Sequence, residues 1–105
     1  MVELLELPSR RLDDTVEATA YYVVAEAITN AQKHARASSI RVRVADGAGV
    51  LLVEVVDDGV GGAAEGSGLG LRGLRDRVEA IGGTFEADSP AGRGTRVTAV
   101  IPARA

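Results

Sequence analysis

A chain of 105 residues has room for one domain and not two. Hydrophobic residues make up 46% of it and aromatic residues only 3%, so any core is aliphatic, and the absence of cysteine excludes a disulfide framework and a thiolate metal site. A net charge of −3 argues against a nucleic-acid surface, and no apolar run has the length of a membrane span or the form of a signal peptide, so the expectation is one cytoplasmic α/β domain, residues 1–105, without direct membrane contact.

Val2 to Leu7 reads as a short strand stopped by Pro8, with Arg10 and Arg11 in a connector. Asp13 and Asp14 suit a helix N-terminus and precede a helical stretch to about Ala35, on which Val24, Ile28, Ala31 and Ala35 form the predicted apolar face. Ser39 to Ala45 alternates Ile40, Val42 and Val44 with Arg41 and Arg43, a strand with one wet face. Asp46-Gly47-Ala48-Gly49 is a hairpin turn, and Val50 to Val56 is so continuously apolar that it predicts a central strand covered on both faces. The glycine-rich stretch from Gly59 to Gly70 is too flexible for a regular element. Leu71, Leu74, Val78 and Ile81 then mark a second amphipathic helix, stopped at Gly82-Gly83. Thr84 to Asp88 is a strand, Pro90 to Gly94 a turn, and Thr95 to Ile101 the last strand. Strands joined by short turns are antiparallel, so this order predicts a mixed, mostly antiparallel five-stranded sheet with helices on one face.

Three segments carry polar or glycine patterns that packing alone does not need. On the first helix Glu26, Asn30 and Lys33 fall at i, i+4 and i+7 and share a stripe away from the apolar face. An amide oxygen can ligate a hard cation, and a nearby lysine and carboxylate suit a nucleoside triphosphate with its Mg²⁺. Glu and Lys at this spacing equally describe a solvated helix face. Asp57-Asp58-Gly59-Val60-Gly61-Gly62 closes the central strand; its acid could accept an adenine amine over a glycine floor, or simply face water in a turn. Gly66-Ser67-Gly68-Leu69-Gly70-Leu71 runs into the second helix, where backbone N–H groups favour phosphate. Gly68 to Gly73 also fits G-x-G-x-x-G, but a dinucleotide fingerprint directly follows a strand, and here a loop intervenes. Walker A and protein-kinase signatures are missing.

Taken in order, Glu26 to Ala35, Asp57 to Gly61 and Gly68 to Leu71, with a closing Gly94-Thr95, resemble the N, G1 and G2 boxes of the ATPase superfamily of DNA gyrase, large heat-shock chaperones and histidine kinases. More narrowly, Val16-Glu17, Tyr21, Val24 to Ala27, Gly70 to Leu74 and Arg77-Val78 resemble sensor histidine kinases that partner LuxR-type response regulators. The resemblance implies a Bergerat-type two-layer α/β sandwich that binds ATP and Mg²⁺. It implies that Asn30 holds Mg²⁺, Lys33 meets the phosphates and His34 packs near the nucleotide. Asp57 would bind the adenine amine, with Gly59 and Gly61 beside it and Thr95 in the same hydrogen-bond network, while Gly66, Gly68, Leu69, Gly70 and Leu71 cover the phosphates. Glu26 matches the acid that polarises water in hydrolysing relatives; its part in a kinase stays open.

Two departures qualify the resemblance. The stretch between Gly62 and Gly66 is short, which implies a small lid, mobile without nucleotide. The helical hairpin bearing a phosphoacceptor histidine is missing, so the γ-phosphoryl group would go to a separate dimerisation domain of a membrane-anchored parent. Two rivals remain: a stand-alone anti-sigma factor serine kinase of the same superfamily, and a docking module that binds no nucleotide.

Overall fold

The computed structural model describes residues 2–8, 12–33, 36–62 and 71–103. Along these the elements run β1 (Val2–Glu6), α1 (Asp14–Lys33), β2 (Ile40–Gly47), β3 (Val50–Asp57), α2 (Leu71–Ala80), β4 (Thr84–Asp88) and β5 (Thr95–Pro102). The sheet order is β1-β2-β3-β5-β4. β1 pairs parallel to β2, and every other pairing is antiparallel, so the expected mixed sheet and its α/β class are confirmed.

Local chemistry explains the boundaries. Asp13 caps α1: its carbonyl accepts the Glu17 N–H at 2.9 Å and its Oδ1 the Thr15 N–H at 2.9 Å. The β2–β3 hairpin closes through Ala48 and Gly49, at φ 54° and 80°, with Gly47 opposite Val50; a two-residue turn with both φ positive matches the twist of the strands it joins. At the end of α2 the Gly83 N–H reaches back to the Val78 carbonyl at 3.0 Å, which closes the last turn and sends the chain into β4.

The core lies between the sheet and the two helices. Val42, Val44, Leu51, Val53, Val55, Val97, Ala99 and Ile101 meet Val23, Ala27 and Ala31 of α1 and Leu71, Leu74 and Val78 of α2, with Phe85 the largest buried side chain. Two expectations need correction. The buried stripe of α1 is Val16, Ala20, Val23, Ala27 and Ala31, while Val24 and Ile28 are only partly buried at its flank. Alanine at three of these five positions brings the helix backbone close to the sheet, and larger side chains serve the edge of that contact. Nor is β3 covered on both faces: its burial alternates, with Leu51, Val53, Val55 and Asp57 inside and Val50, Leu52, Glu54 and Val56 half-buried. Part of that open face is screened by Leu5, Arg41, Arg43 and Arg96, which surround Glu54 and Val56, so apolar stems of long charged residues do some of the work of a second layer. Among the described residues no helix is long and apolar enough to cross a membrane.

Candidate functional site

Connectivity decides where the polar residues meet. β3 is antiparallel to β2, so its C-terminus lies beside the start of β2, with Asp57 opposite Ile40. β5 is antiparallel to β3, so Thr95 begins where Asp57 ends, and the two face each other across the ladder. β4 ends at the same edge, with Asp88 opposite Arg96. The exit of α1 is tied there as well, because Ser38 and Ser39 bond directly to Asp58. One end of the sandwich therefore gathers the last turn of α1, the end of β3 and the start of β5.

Asp57 is the one buried charged residue among those described, 9% exposed. The alternation along β3 turns it toward the helix layer. Its Oδ1 accepts the Gly59 N–H at 2.8 Å. Its Oδ2 takes no hydrogen bond from the described residues and is not sealed away, since no buried side-chain oxygen is left unsatisfied. A carboxylate held by one oxygen with the other open is built to accept a further donor. Beside it lies a cleft of about 310 Å³ lined by Val56, Asp57, Asp88, Pro90, Arg93, Thr95 and Arg96. Thr95 does not bond to Asp57 directly; its Oγ1 shares a 2.7 Å hydrogen bond with Ser89 Oγ.

The glycines here are fixed by contacts within the protein. Gly61 has φ 67°, and a Cβ on it would stand 2.1 Å from the Pro90 carbonyl oxygen. Gly94 has φ 76°, and a Cβ there would stand 2.1 Å from the Asp57 carbonyl oxygen. The loop after β3 and the turn before β5 are thus pressed together, backbone to backbone, and stitched by Gly62 N–H to Ser89 O at 2.7 Å and Gly92 N–H to Val60 O at 2.6 Å.

On α1, Glu26 and Asn30 are partly buried and Lys33 is exposed in the last turn. Leu71 is buried in the core, 2% exposed, so its side chain packs, and what it can offer a ligand is its backbone N–H at the start of α2. His34, Gly66, Gly68, Leu69 and Gly70, and with them the small lid, lie outside the described residues. Of the residues behind the narrower resemblance, Val78 is core and Tyr21 is exposed, while the Arg77 guanidinium sits over the Tyr22 ring at 3.9 Å. Sequence reasoning missed Ser38, Ser39 and Ser89. Doublets such as Ser38-Ser39 and Asp57-Asp58 signal turns, but not which turn meets which.

Comparison with known proteins bears on the family and the fold. Residues 15–105 match the family described as histidine kinase-, DNA gyrase B-, and HSP90-like ATPase. The oxygen sensor histidine kinase NreB of Staphylococcus carnosus is 38% identical over 98 residues, 90% of this chain but 28% of that protein. The histidine kinase domain of the blue-light activated histidine kinase EL346 of Erythrobacter litoralis superposes with a TM-score of 0.76 at 25% identity, over 96% of this chain and 51% of that one. The ATP binding domain of PrrB from Mycobacterium tuberculosis superposes with a TM-score of 0.73, over 99% of this chain and 82% of that one, and at 22% identity it speaks for the fold alone.

Proposed function

Because the chain belongs to the family of histidine kinase-, DNA gyrase B- and HSP90-like ATPases, we propose that it is the catalytic domain of a sensor histidine kinase, binding Mg-ATP and donating the γ-phosphoryl group to a histidine on a separate dimerisation domain. The observation that carries this reading is the open Oδ2 of buried Asp57 at the same end of the sandwich as the exit of α1. An adenine amine would donate to Oδ2, while the Gly59 N–H keeps the carboxylate oriented. A triphosphate extending from there toward the last turn of α1 would meet Asn30 and Lys33.

The donor set fits Mg²⁺ rather than a protein-caged metal. Among the described residues no group of three or more His, Cys, Asp or Glu stands together as a cation site. Mg²⁺ bound through few protein oxygens draws the rest from phosphate and water, and Asn30 is the side chain to hold it. When bound, the ion would share the triphosphate charge with Lys33. The task of this chain is positioning and charge neutralisation, since phosphoryl transfer asks for little covalent help. Glu26, one helical turn before Asn30, would orient a nucleophile or water, and its role in the kinase is part of this proposal. The acceptor domain would come from a parent kinase, anchored in a membrane with this domain on its cytoplasmic side, and a LuxR-type response regulator would take the phosphoryl group onward. The resemblance around Tyr21 and Arg72-Gly73-Leu74 supports that choice of regulator.

Calorimetric titration with ATP, with and without Mg²⁺, tests the reading. Asn30→Ala should make binding less dependent on Mg²⁺. With γ-labelled ATP the chain alone should stay unlabelled, and adding a histidine-bearing dimerisation domain should yield acid-labile phosphohistidine on that domain. No heat with Mg-ATP, or label on His34, would end it.

A further inference from the structure

Asp58 stands one residue beyond the buried acid and is exposed, yet its carboxylate accepts three hydrogen bonds. Its Oδ1 accepts the Ser38 N–H at 2.8 Å and the Ser39 N–H at 2.9 Å, and its Oδ2 accepts the Ser38 hydroxyl at 2.7 Å. Its own N–H donates to the Ser39 carbonyl at 3.2 Å. These donors hold its carboxyl below the usual aspartate range, the Ser38 hydroxyl most of all. The cluster lies outside the β2–β3 ladder, which is registered from Ile40↔Asp57 to Gly47↔Val50.

The segment it grips is the exit of α1. The Ala37 N–H bonds back to the Ala31 carbonyl at 3.0 Å, and Ala31 follows Asn30 and is fully buried against the sheet. A short path of alternating peptide and hydrogen bonds therefore runs from Asn30 through Ala31, Ala37 and Ser38 to Asp58, and then by one peptide bond to Asp57. Proline or a long loop at the helix exit would leave that distance free to vary. Here it is fixed by three charge-assisted bonds, and such bonds are the strong ones.

We infer that Asp58 is a positioning residue for the nucleotide site, clasping Ser38 and Ser39 so that the last turn of α1, with Asn30 and Lys33, keeps a set distance from the adenine acceptor Asp57. Asp58 itself touches no nucleotide. Its effect reaches the ligand only through the spacing of two groups that must be satisfied by one molecule. The inference rests on the proposed ATP site and deepens it. It makes a distinction that a general stabilising role would not. Adenosine engages only the Asp57 side, whereas Mg-ATP needs both sides at their correct separation.

The experiment compares the full chain with Asp58→Ala, Asp58→Asn and Ser38→Ala, each titrated with Mg-ATP and with adenosine and checked for a cooperative melt. Displacing bound groups by about an ångström can cost up to a hundredfold, so Asp58→Ala should weaken Mg-ATP by about tenfold or more while adenosine changes by less than about twofold. Asp58→Asn keeps an acceptor for both amides and should recover most of the loss. Ser38→Ala deletes only the hydroxyl bond and should shift Mg-ATP in the same direction by a smaller factor, which gives an answer even if Asp58→Ala does not fold. Equal losses for both ligands, or no loss in Ser38→Ala together with an Asn variant as weak as the Ala variant, would overturn the inference. An unmutated chain that binds neither ligand would instead overturn the site on which it stands.

Discussion

The two ends of this sandwich are closed in different ways. At the hairpin end, closure is mostly local: Ala48-Gly49 turns β2 into β3 and Gly82-Gly83 turns α2 into β4, while one bond between distant residues runs from the Ala103 N–H to the Gly49 carbonyl at 2.9 Å. At the other end closure is distant in sequence. Asp58 holds Ser38 and Ser39, Gly61 lies against Pro90, and Gly94 lies against Asp57. Local turns suffice to build a sheet. The second set is needed only if several polar groups must be held in register with one another, and a binding site has that requirement where a structural end does not.

The contrast is sharpest for alanine at glycines of similar φ. Gly94→Ala would combine the left-handed backbone with a Cβ 2.1 Å from the Asp57 carbonyl oxygen, a clash with backbone that cannot swing aside. We expect a loss of about 3 kcal/mol or more and failure to bind ATP, since Asp57 must move. Gly49→Ala has a φ of 80° but nothing within 4 Å, so only the backbone term of about 1 kcal/mol remains, with nucleotide affinity intact. Chemical denaturation of both variants measures this, and equal losses would mean that the site end is no more constrained than the hairpin end.

Asp57→Asn probes function at the same end without altering shape. Asn keeps an oxygen for the Gly59 N–H but presents an N–H₂ where the purine amine would donate, so two donors face each other. Adenine-dependent affinity should fall by about 1–3 kcal/mol, roughly five- to 150-fold, while the melting temperature changes little. Titration calorimetry with ATP, paired with thermal melts, separates the two quantities. A collapse in stability with no specific loss of affinity would make Asp57 a structural acid.

How much of this was legible in sequence follows the same division. Elements set by periodicity and turn chemistry were readable: Thr84–Asp88 has the predicted bounds, the Asp13 cap stands where it was expected, and the β2–β3 turn falls within the expected Asp46-to-Gly49 segment, tightened to Ala48-Gly49 because β2 runs on to Gly47. The face of α1 was misread because Val24 and Ile28 are larger than Ala20 and Ala27, and hydrophobicity was weighed without the close approach that alanine permits. β3 was misread because a run of Val and Leu looks the same whether its second face meets a helix or the stems of arginines. At the site, motif spacing singled out Asp57 and Asn30, but Ser38 gains a role only from topology, which brings it against Asp58 twenty positions away, and Ser89 gains its role from the turn that folds it back on Thr95 six positions on.

A smaller effect is expected at the hairpin end, where the chain tolerates an imperfect residue. Ala48 is a non-glycine residue at φ 54°, which costs an L side chain about 1 kcal/mol. Ala48→Gly should therefore stabilise by roughly 0.5 kcal/mol after the added flexibility of the unfolded chain is offset, and should leave nucleotide binding unchanged. A gain in affinity from this variant would link the two ends and undo the separation drawn between them.

The smallest effect concerns pH and tests whether the clasp at the site end acts through charge. The Asp58 carboxyl is held below its ordinary value by the Ser38 hydroxyl and the Ser38 and Ser39 amides, so between the lowered and the ordinary value the unfolded chain binds a proton that the folded chain does not. Stability from this group is then complete above the ordinary aspartate range and is lost as pH falls through the lowered value. Asn at this position does not titrate, and the remaining carboxylates are common to both proteins. Melting temperatures of the unmutated chain and of Asp58→Asn, followed from about pH 6 down to about pH 3, should differ most at the upper end, with the difference narrowing as pH falls below the ordinary aspartate value. A gap that stays constant across that range would mean that the three bonds hold the helix exit by geometry alone, with the negative charge contributing nothing.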